Sequence, residues 1–259
     1  MHNILLKIIE KKKQDLIEQM QHVPLEQLQK KMIDSSEENL FKKNILEKKD
    51  IAIIAEIKLA SPKKSFLGEK GSVLERAKKY EESGVDTISI ITEKNFFNGD
   101  VAFVTDVKKE VMLPILQKDF VIDAYQIYEA KSIGSDSLLF IAKFLNPQAL
   151  SSFVNICKKL NIEPVVEIND EEDLEKAVAT STSIIAVNAR DLETFRVDVD
   201  IACRLMKKIP DKFIKLGFSG ISSSSEVGKY KKAGAKGVLV GTSLMRAENI
   251  TDFIKSLKV

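Results

Sequence analysis

Glu56 and Lys58 stand two residues apart at the end of the apolar run IAIIAEIK, residues 51–58. On an extended strand, side chains two apart share a face, so this carboxylate and this ammonium point the same way. Their pairing either holds a lysine charged and aimed for chemistry or is a purely structural ion pair. Other apolar runs end in the same manner: LPILQK (113–118) on Lys118, IEPVVE (162–167) on Glu167, and IIAVN (184–188) on Asn188, with Arg190 two residues on. A lysine so placed can bind an anion, form a Schiff base or act as a general acid; its bland alternative is to snorkel to solvent. Glu167 can be a general base or hold a lysine, Asn188 can fix a substrate hydroxyl, and Arg190 can bind a carboxylate or support Glu167. A short apolar run is a buried strand, whose interior does not tolerate charge. Charges gathered at the same end of several such strands therefore indicate one shared polar site.

Other chemistries are excluded by what is missing. Both histidines, His2 and His22, fall in the first 22 residues. A histidine-rich zinc centre or a Ser-His-Asp triad in the body of the chain is ruled out, and acid–base work there falls to Lys, Glu, Asp, Tyr or Cys. Forty Lys and Arg against 38 Asp and Glu leave a net charge of +2, without the basic excess a nucleic-acid face needs. Lys-rich stretches such as 11–13 and 229–232 read as solvated helix faces. Cys157 and Cys203 lie far apart in helical patterns and read as packed thiols, which fits a reducing, cytoplasmic location. No run of apolar residues is long enough to span a membrane, and the charged, helical start is unlike a signal peptide.

These residues need a scaffold that brings several strand ends together. Residues 1–49 carry helical spacing only, with Ile4, Leu5, Ile8, Ile9 and Leu16 on one face and a second helix beginning at Pro24, so they form an appendage. From residue 50 the pattern alternates. Strands are expected over 51–57, 87–91, 113–117, 137–141, 163–167, 184–188, 213–217 and 237–240. Helices are expected over 72–83, 100–110, 123–133, 146–160, 171–179, 198–208, 223–233 and 248–257. Gly84, Gly134 and Gly234 each follow a helical run, as left-handed caps do, and Ser223-x-x-Glu226 is a capping box. Units of even length, with no Gly-x-Gly-x-x-Gly after the first strand, favour a (β/α)8 TIM barrel over 50–259 rather than a doubly wound sheet. The charged ends then meet at the mouth, where such barrels carry their sites.

The loops after the seventh and eighth strands read Ser219-Gly220-Ile221-Ser222 and Gly241-Thr242-Ser243. Their glycines expose backbone N–H groups, with a short helix expected from Gly241-Thr242, and this is where barrels commonly hold a phosphate. Phe97 and Phe120, just past strands two and three, either line an aromatic pocket or pack in the core.

The chain resembles the indole-3-glycerol-phosphate synthase family of tryptophan biosynthesis. The likeness rests on AEIKLASP (55–62), SIITE (89–93) with FFNG (96–99), PILQKDFVID (114–123), YQIYEA (125–130), Val166-Glu167, NARDLETF (188–195), SGI (219–221) and VGTSLMR (240–246), and on the Val23-Pro24-Leu25 turn. It implies the cyclisation of 1-(2-carboxyphenylamino)-1-deoxyribulose 5-phosphate with loss of CO2 and water. By matching positions, Lys118 would be the general acid, Glu167 and Lys58 would serve the second proton transfer, and Glu56, Asn188 and Arg190 would orient the reacting groups. Ser61, Ser219, Gly220, Gly241 and Thr242 would lie around the phosphate and its approach, and Phe97, Phe120 and Leu139 would border the anthranilate ring. Residues 1–49 would cover the barrel mouth. No metal or organic cofactor is implied. A monomer is expected, in transient contact with other tryptophan-pathway enzymes.

The chain departs from the family pattern at several points. Phe218 replaces the usual glutamate before Ser-Gly-Ile, and Ser61-Pro62-Lys63-Lys64-Ser65 lacks the usual loop glycine. Gln117, Asn169 and Ala60 stand where Arg or Met, His, and Lys are common. Activity is still expected, since Lys118, Lys58 and Glu167 remain. The alternatives are another phosphate-binding barrel enzyme, or a catalytically weakened homologue with a binding role.

Overall fold

The computed structural model of the chain describes residues 3–32, 39–61 and 72–258. Among the described residues three helices come first: α1 (Asn3–His22), α2 (Leu25–Lys31) and α3 (Leu40–Leu46). Then follow β1 (Ala52–Ile57), α4 (Ser72–Glu82), β2 (Thr87–Ile91), α5 (Lys94–Phe97), α6 (Ala102–Glu110), β3 (Ile115–Lys118), α7 (Tyr125–Ile133) and β4 (Ser137–Ile141). After a single 3-10 turn come α8 (Pro147–Lys159), β5 (Glu163–Ile168), α9 (Glu171–Val178), β6 (Ile184–Asn188), α10 (Val199–Lys208), β7 (Ile214–Phe218), α11 (Ser224–Lys232), β8 (Gly237–Val240), α12 (Thr242–Met245) and α13 (Ile250–Leu257). The eight strands close in sequence order into one barrel, with every neighbouring pair parallel.

The strands are buried on both faces, and the two-residue alternation divides them cleanly. Ile53, Ala55 and Ile57 of β1 join the core between sheet and helices, with Ile88, Phe140, Val166, Ile185 and Val238. Ala52 and Ile54 face the other way, into the barrel, with Leu116, Leu139, Val165, Ala186, Leu216, Phe218 and Leu239. Glu56, Lys118, Glu167 and Asn188 continue the inward phase of their strands, so the pleat carries each of them to the mouth. The expected helix ends hold: Gly84, Gly134 and Gly234 have φ of 77°, 89° and 100°, and Ser223 and Glu226 form the capping box of α11.

Strand boundaries differ by a residue or so at the places that matter. β3 begins after Pro114, which has no N–H to give the ladder, and runs on to Lys118. β7 likewise runs on to Phe218, so this ring belongs to the barrel wall rather than to a loop. α6 begins at Ala102, not residue 100, because the Asp100 carboxylate accepts from the Ala102 N–H and makes the preceding turn. The four-residue α5 was not expected. Glu93 creates it, its buried carboxylate accepting from the N–H groups of Asn95, Phe96 and Phe97.

The helices ahead of β1 divide between the two barrel ends. Leu5 and Ile8 of α1 pack on the inner core at the mouth. Phe41 and Ile45 of α3 join the same inner core from the opposite end. There Asn44 donates to Asp86 O at 3.1 Å and Asn39 to Asp136 O at 2.7 Å, both just ahead of a strand. A reading that sends all of residues 1–49 to the mouth therefore does not fit α3, whose cap and amide bonds fix it at the strands' N-terminal ends.

Candidate active site

The mouth holds a cavity of about 540 Å³. Every residue given a site role from the sequence lines it: Glu56, Lys58, Ser61, Phe97, Lys118, Phe120, Leu139, Glu167, Asn188, Arg190, Ser219, Gly220, Gly241 and Thr242. Pro62, Lys63, Lys64 and Ser65 lie outside the described residues.

Glu56 is the electrostatic centre. It is 4% exposed, and its two oxygens face different lysines: Oε1 accepts from Lys58 Nζ at 2.6 Å and Oε2 from Lys118 Nζ at 3.3 Å. Burial pushes this carboxyl up, but the two ammonium groups together outweigh burial and hold it at about 2. Lys118 shows the mirror image. Burial works against its charge, yet Glu56 and then Glu167 outweigh that, and its proton affinity is raised, with Arg190 acting the other way. Both groups are thus charged at neutral pH, and Lys118 carries a proton to give.

Gly241 explains how this pair fits against β8. A Cβ there would stand 2.3 Å from Glu56 Oε1 and 2.9 Å from Lys58 Nζ, so only glycine leaves room for the ion pair. The loops after β7 and β8 are tied together, since Ser243 Oγ donates to Ile221 O at 2.6 Å. Ser219 and Gly220 both have positive φ, 67° and 77°, which turns the chain sharply at the end of β7.

On the next wall, Glu167 is 2% exposed. Its Oε1 accepts from Asn188 Nδ2 at 3.0 Å, while its Oε2 is buried with no hydrogen-bond partner among the described residues. A carboxyl oxygen lining a cavity without a partner is placed to take a proton or accept from a bound hydroxyl. Arg190 does not support Glu167 through a hydrogen bond. Its Nη1 donates to Phe195 O at 3.3 Å, within a hairpin that folds residues 190–197 back over the mouth. Asn169 braces this region, its Nδ2 donating to the carbonyls of Asn188 and Arg190 at 3.1 and 2.9 Å.

The apolar side is aromatic. Phe120 lies between Phe97 and Phe144, with ring centroids 6.4 and 5.8 Å away. Leu139, Leu192, Leu5 and Ile8 complete it. Sequence reasoning missed Leu5 and Ile8 as cavity residues, because their apolar spacing reads only as a helix face. It also missed Asp119, which accepts from Thr92 Oγ1 at 2.8 Å and pairs with Lys12 at 2.6 Å. Nothing local in the sequence says that this aspartate will find its partner more than 100 residues away.

A family model described as indole-3-glycerol phosphate synthase matches residues 5–257. The indole-3-glycerol phosphate synthase of Caldanaerobacter subterraneus subsp. tengcongensis is 43% identical over 83% of this chain and 85% of its own. That of Alkaliphilus metalliredigens is 37% identical over 98% of both chains. Among solved structures, a 3-hexulose-6-phosphate synthase superposes with a TM-score of 0.64 at 17% identity, covering 80% of this chain and 98% of that one. A chain of the tryptophan synthase complex of Pyrococcus furiosus does so with a TM-score of 0.61 at 18% identity, covering 80% and 98%. At such identities the structural likeness speaks to the barrel alone. The full-length sequence relatives say more: by its match from end to end, this chain belongs to the indole-3-glycerol phosphate synthase family.

Proposed function

We propose that the chain closes the indole ring of indole-3-glycerol phosphate from 1-(2-carboxyphenylamino)-1-deoxyribulose 5-phosphate, acting as a decarboxylating lyase. The observation that carries the proposal is the sharing of buried Glu56 between Lys58 and Lys118, across one cavity from the Glu167–Asn188 pair. The substrate needs an acid beside its ketone and a base beside the neighbouring methylene, and this arrangement supplies both.

In this reading the anthranilate ring rests against Phe97, Phe120 and Leu139. The phosphate lies towards Ser61, Ser219, Gly220, Gly241 and Thr242, whose backbone and hydroxyl groups can donate to it. The ring carbon bearing the carboxylate attacks the ketone carbon, and Lys118 gives a proton to the ketone oxygen. The carboxylate leaves as CO2 and returns its electron pair to the ring. Lys118 regains a proton from solvent, and the new hydroxyl then departs as water with that proton. Glu167, with Lys58, handles the proton leaving the methylene carbon, which completes the double bond. Asn188 holds Glu167, Arg190 steers the substrate carboxylate, and Glu56 holds both lysines in place.

The N-terminal helix α1 closes the mouth through Leu5 and Ile8. The same reading carries a cytoplasmic monomer that meets other enzymes of tryptophan biosynthesis transiently; the free thiols of Cys157 and Cys203 fit a reducing compartment.

The deciding experiment follows the fluorescence of indole-3-glycerol phosphate as it forms from the carboxyphenylamino substrate. The parent turns over, and Lys118→Ala loses about 10²–10⁴-fold while keeping its melting temperature. Activity of Lys118→Ala within threefold of the parent would remove Lys118 from the acid's role, and an inactive parent would overturn the assignment.

A further inference from the structure

We propose that Phe218 is a positioning residue for Lys118: its ring face supports the ammonium from the core side of the site without taking one of its hydrogens. The inference builds on the reading of Lys118 as the acid.

Lys118 Nζ lies 5.2 Å from the centroid of the Phe218 ring. This is within the distance at which the negative face of an aromatic ring attracts a cation. The two residues occupy different zones. Lys118 lines the cavity, whereas Phe218 is 0% exposed and belongs to the inner barrel core with Leu216 and Leu239. An aromatic ring at a wet barrel mouth would be hard to explain; one sealed beneath a cation is not.

The ammonium has need of such support. Its bond to Glu56 is 3.3 Å, long for a charge-assisted hydrogen bond, while Lys58 holds the same carboxylate at 2.6 Å. Glu56 is thus held chiefly by Lys58. Among the other charges around Lys118, Glu167 favours its proton and Arg190 opposes it, while the Lys58 ammonium shares the same carboxylate. A carboxylate in place of the ring would accept a hydrogen bond and turn the ammonium towards itself. A phenyl ring has no acceptor lone pair. It attracts the charge without fixing its rotation, so hydrogens remain free to be donated into the cavity.

Phe218 is held firmly enough to do this. Its carbonyl accepts from the Ala189 N–H at 2.8 Å and shares the Tyr230 hydroxyl, 3.1 Å away, with Ser219 O at 3.0 Å. The neighbouring Gly217 is what admits Tyr230: a Cβ at 217 would stand 2.4 Å from the tyrosine ring. The outward face of β7 therefore clamps the residue whose inward face meets the lysine.

The test keeps shape constant and changes the ring's electrostatics. Phe218 is replaced site-specifically by 4-fluoro-, 3,5-difluoro- and 3,4,5-trifluorophenylalanine, and in parallel by Phe218→Leu. Competitive acetylation at pH 9, read by peptide mass spectrometry, reports the free-amine fraction of Lys118, with the exposed Lys236 at the opposite end of the barrel as internal reference. Lys118 should label progressively faster along the series, reaching about three- to tenfold in the trifluoro protein, with Lys236 unchanged. Turnover should fall in the same order at a constant KM. A labelling rate that stays level through the fluorinated series, or a rise in KM at constant turnover, would show that the ring is packing only. The labelling needs no substrate, so it decides the matter even if the chain's reaction proves to be a different one.

Discussion

Lys12 of α1 and Asp119, the residue after Lys118, meet at 2.6 Å with both side chains almost wholly enclosed. Burial disfavours the charge on Lys12, but Asp119 restores it and raises the lysine's proton affinity. The Asp119 carboxylate also accepts from its own neighbour, the Phe120 N–H, at 2.7 Å. One ion pair therefore ties the mouth helix to the segment carrying both Lys118 and Phe120. Asp15, bonded to Asn95 at 2.6 Å, and Gln19, bonded to Glu129, continue the same helix face one and two turns on.

Lys12→Met keeps most of the side chain's bulk and leaves the buried Asp119 without its cation, though still bonded to Thr92 Oγ1 and the Phe120 N–H. Breaking a buried pair in this way costs about 3–5 kcal/mol, so the melting temperature should drop clearly. The KM for substrate should rise, since Leu5 and Ile8 lose their seat over the cavity. Unchanged stability and unchanged KM would show that α1 does not depend on this pair.

Glu129 sets a pH dependence on the same interface. Burial, with Asp119 and Asp100 nearby, pushes its carboxyl up to about 7, against the partial relief of Gln19 and Lys12. In the unfolded chain it titrates near 4.5. Between these values the folded state holds a proton that the unfolded state has lost, so stability falls as pH rises from about 4.5 to about 7. Glu129→Gln should therefore melt higher than the parent at pH 8, by at most about 3 kcal/mol, with the gap closing towards pH 4.5. A gap that is constant with pH would assign the effect to packing instead.

Much of this was legible in the chain. The charged ends of IAIIAEIK, LPILQK, IEPVVE and IIAVN already located the mouth, because a buried strand admits charge only at its end. Strand limits moved where a single backbone group decided them, as at Pro114. What the sequence could not show was pairing across distance. Glu56 bridging to Lys118, the ring of Phe218 beneath that same lysine, and Lys12 reaching Asp119 join residues from separate units of the fold. Nor does a helix pattern reveal which barrel end it covers: α1 and α3 have similar apolar spacing, and only the partners of Asn39 and Asn44 separate them.

Gly241→Ala tests how closely the β8 loop sets the ion pair. The added carbon would stand 2.3 Å from Glu56 Oε1, and Glu56 has little freedom to retreat because it is buried between two lysines. Overpacking of this kind costs about 1–3 kcal/mol. Turnover should fall tenfold or more, on the order of the loss expected when a positioned group is displaced by about 1 Å, while the barrel still folds. Turnover within twofold of the parent would mean that the pair can shift without consequence.

Glu56→Gln removes the only carboxylate hydrogen-bonded to both site lysines among the described residues. The amide keeps the shape but leaves Lys58 and Lys118 without their shared counter-charge. Because Glu56 is held at about 2 in the folded protein, against 4.5 when unfolded, its charge stabilises the fold fully above about 4.5. That contribution is lost as pH falls through about 2. The variant should thus be less stable than the parent at pH 7, with the difference shrinking as the pH drops below 4.5. Adding Lys58→Met to Glu56→Gln should recover part of the loss, since one of the two stranded ammonium groups is then gone. Melting curves of the parent, the single variant and the double variant at pH 7 and pH 4 make the comparison. A double variant no more stable than Glu56→Gln alone would show that the repulsion between the lysines is carried elsewhere, and that Glu56 acts on the site chiefly by shape.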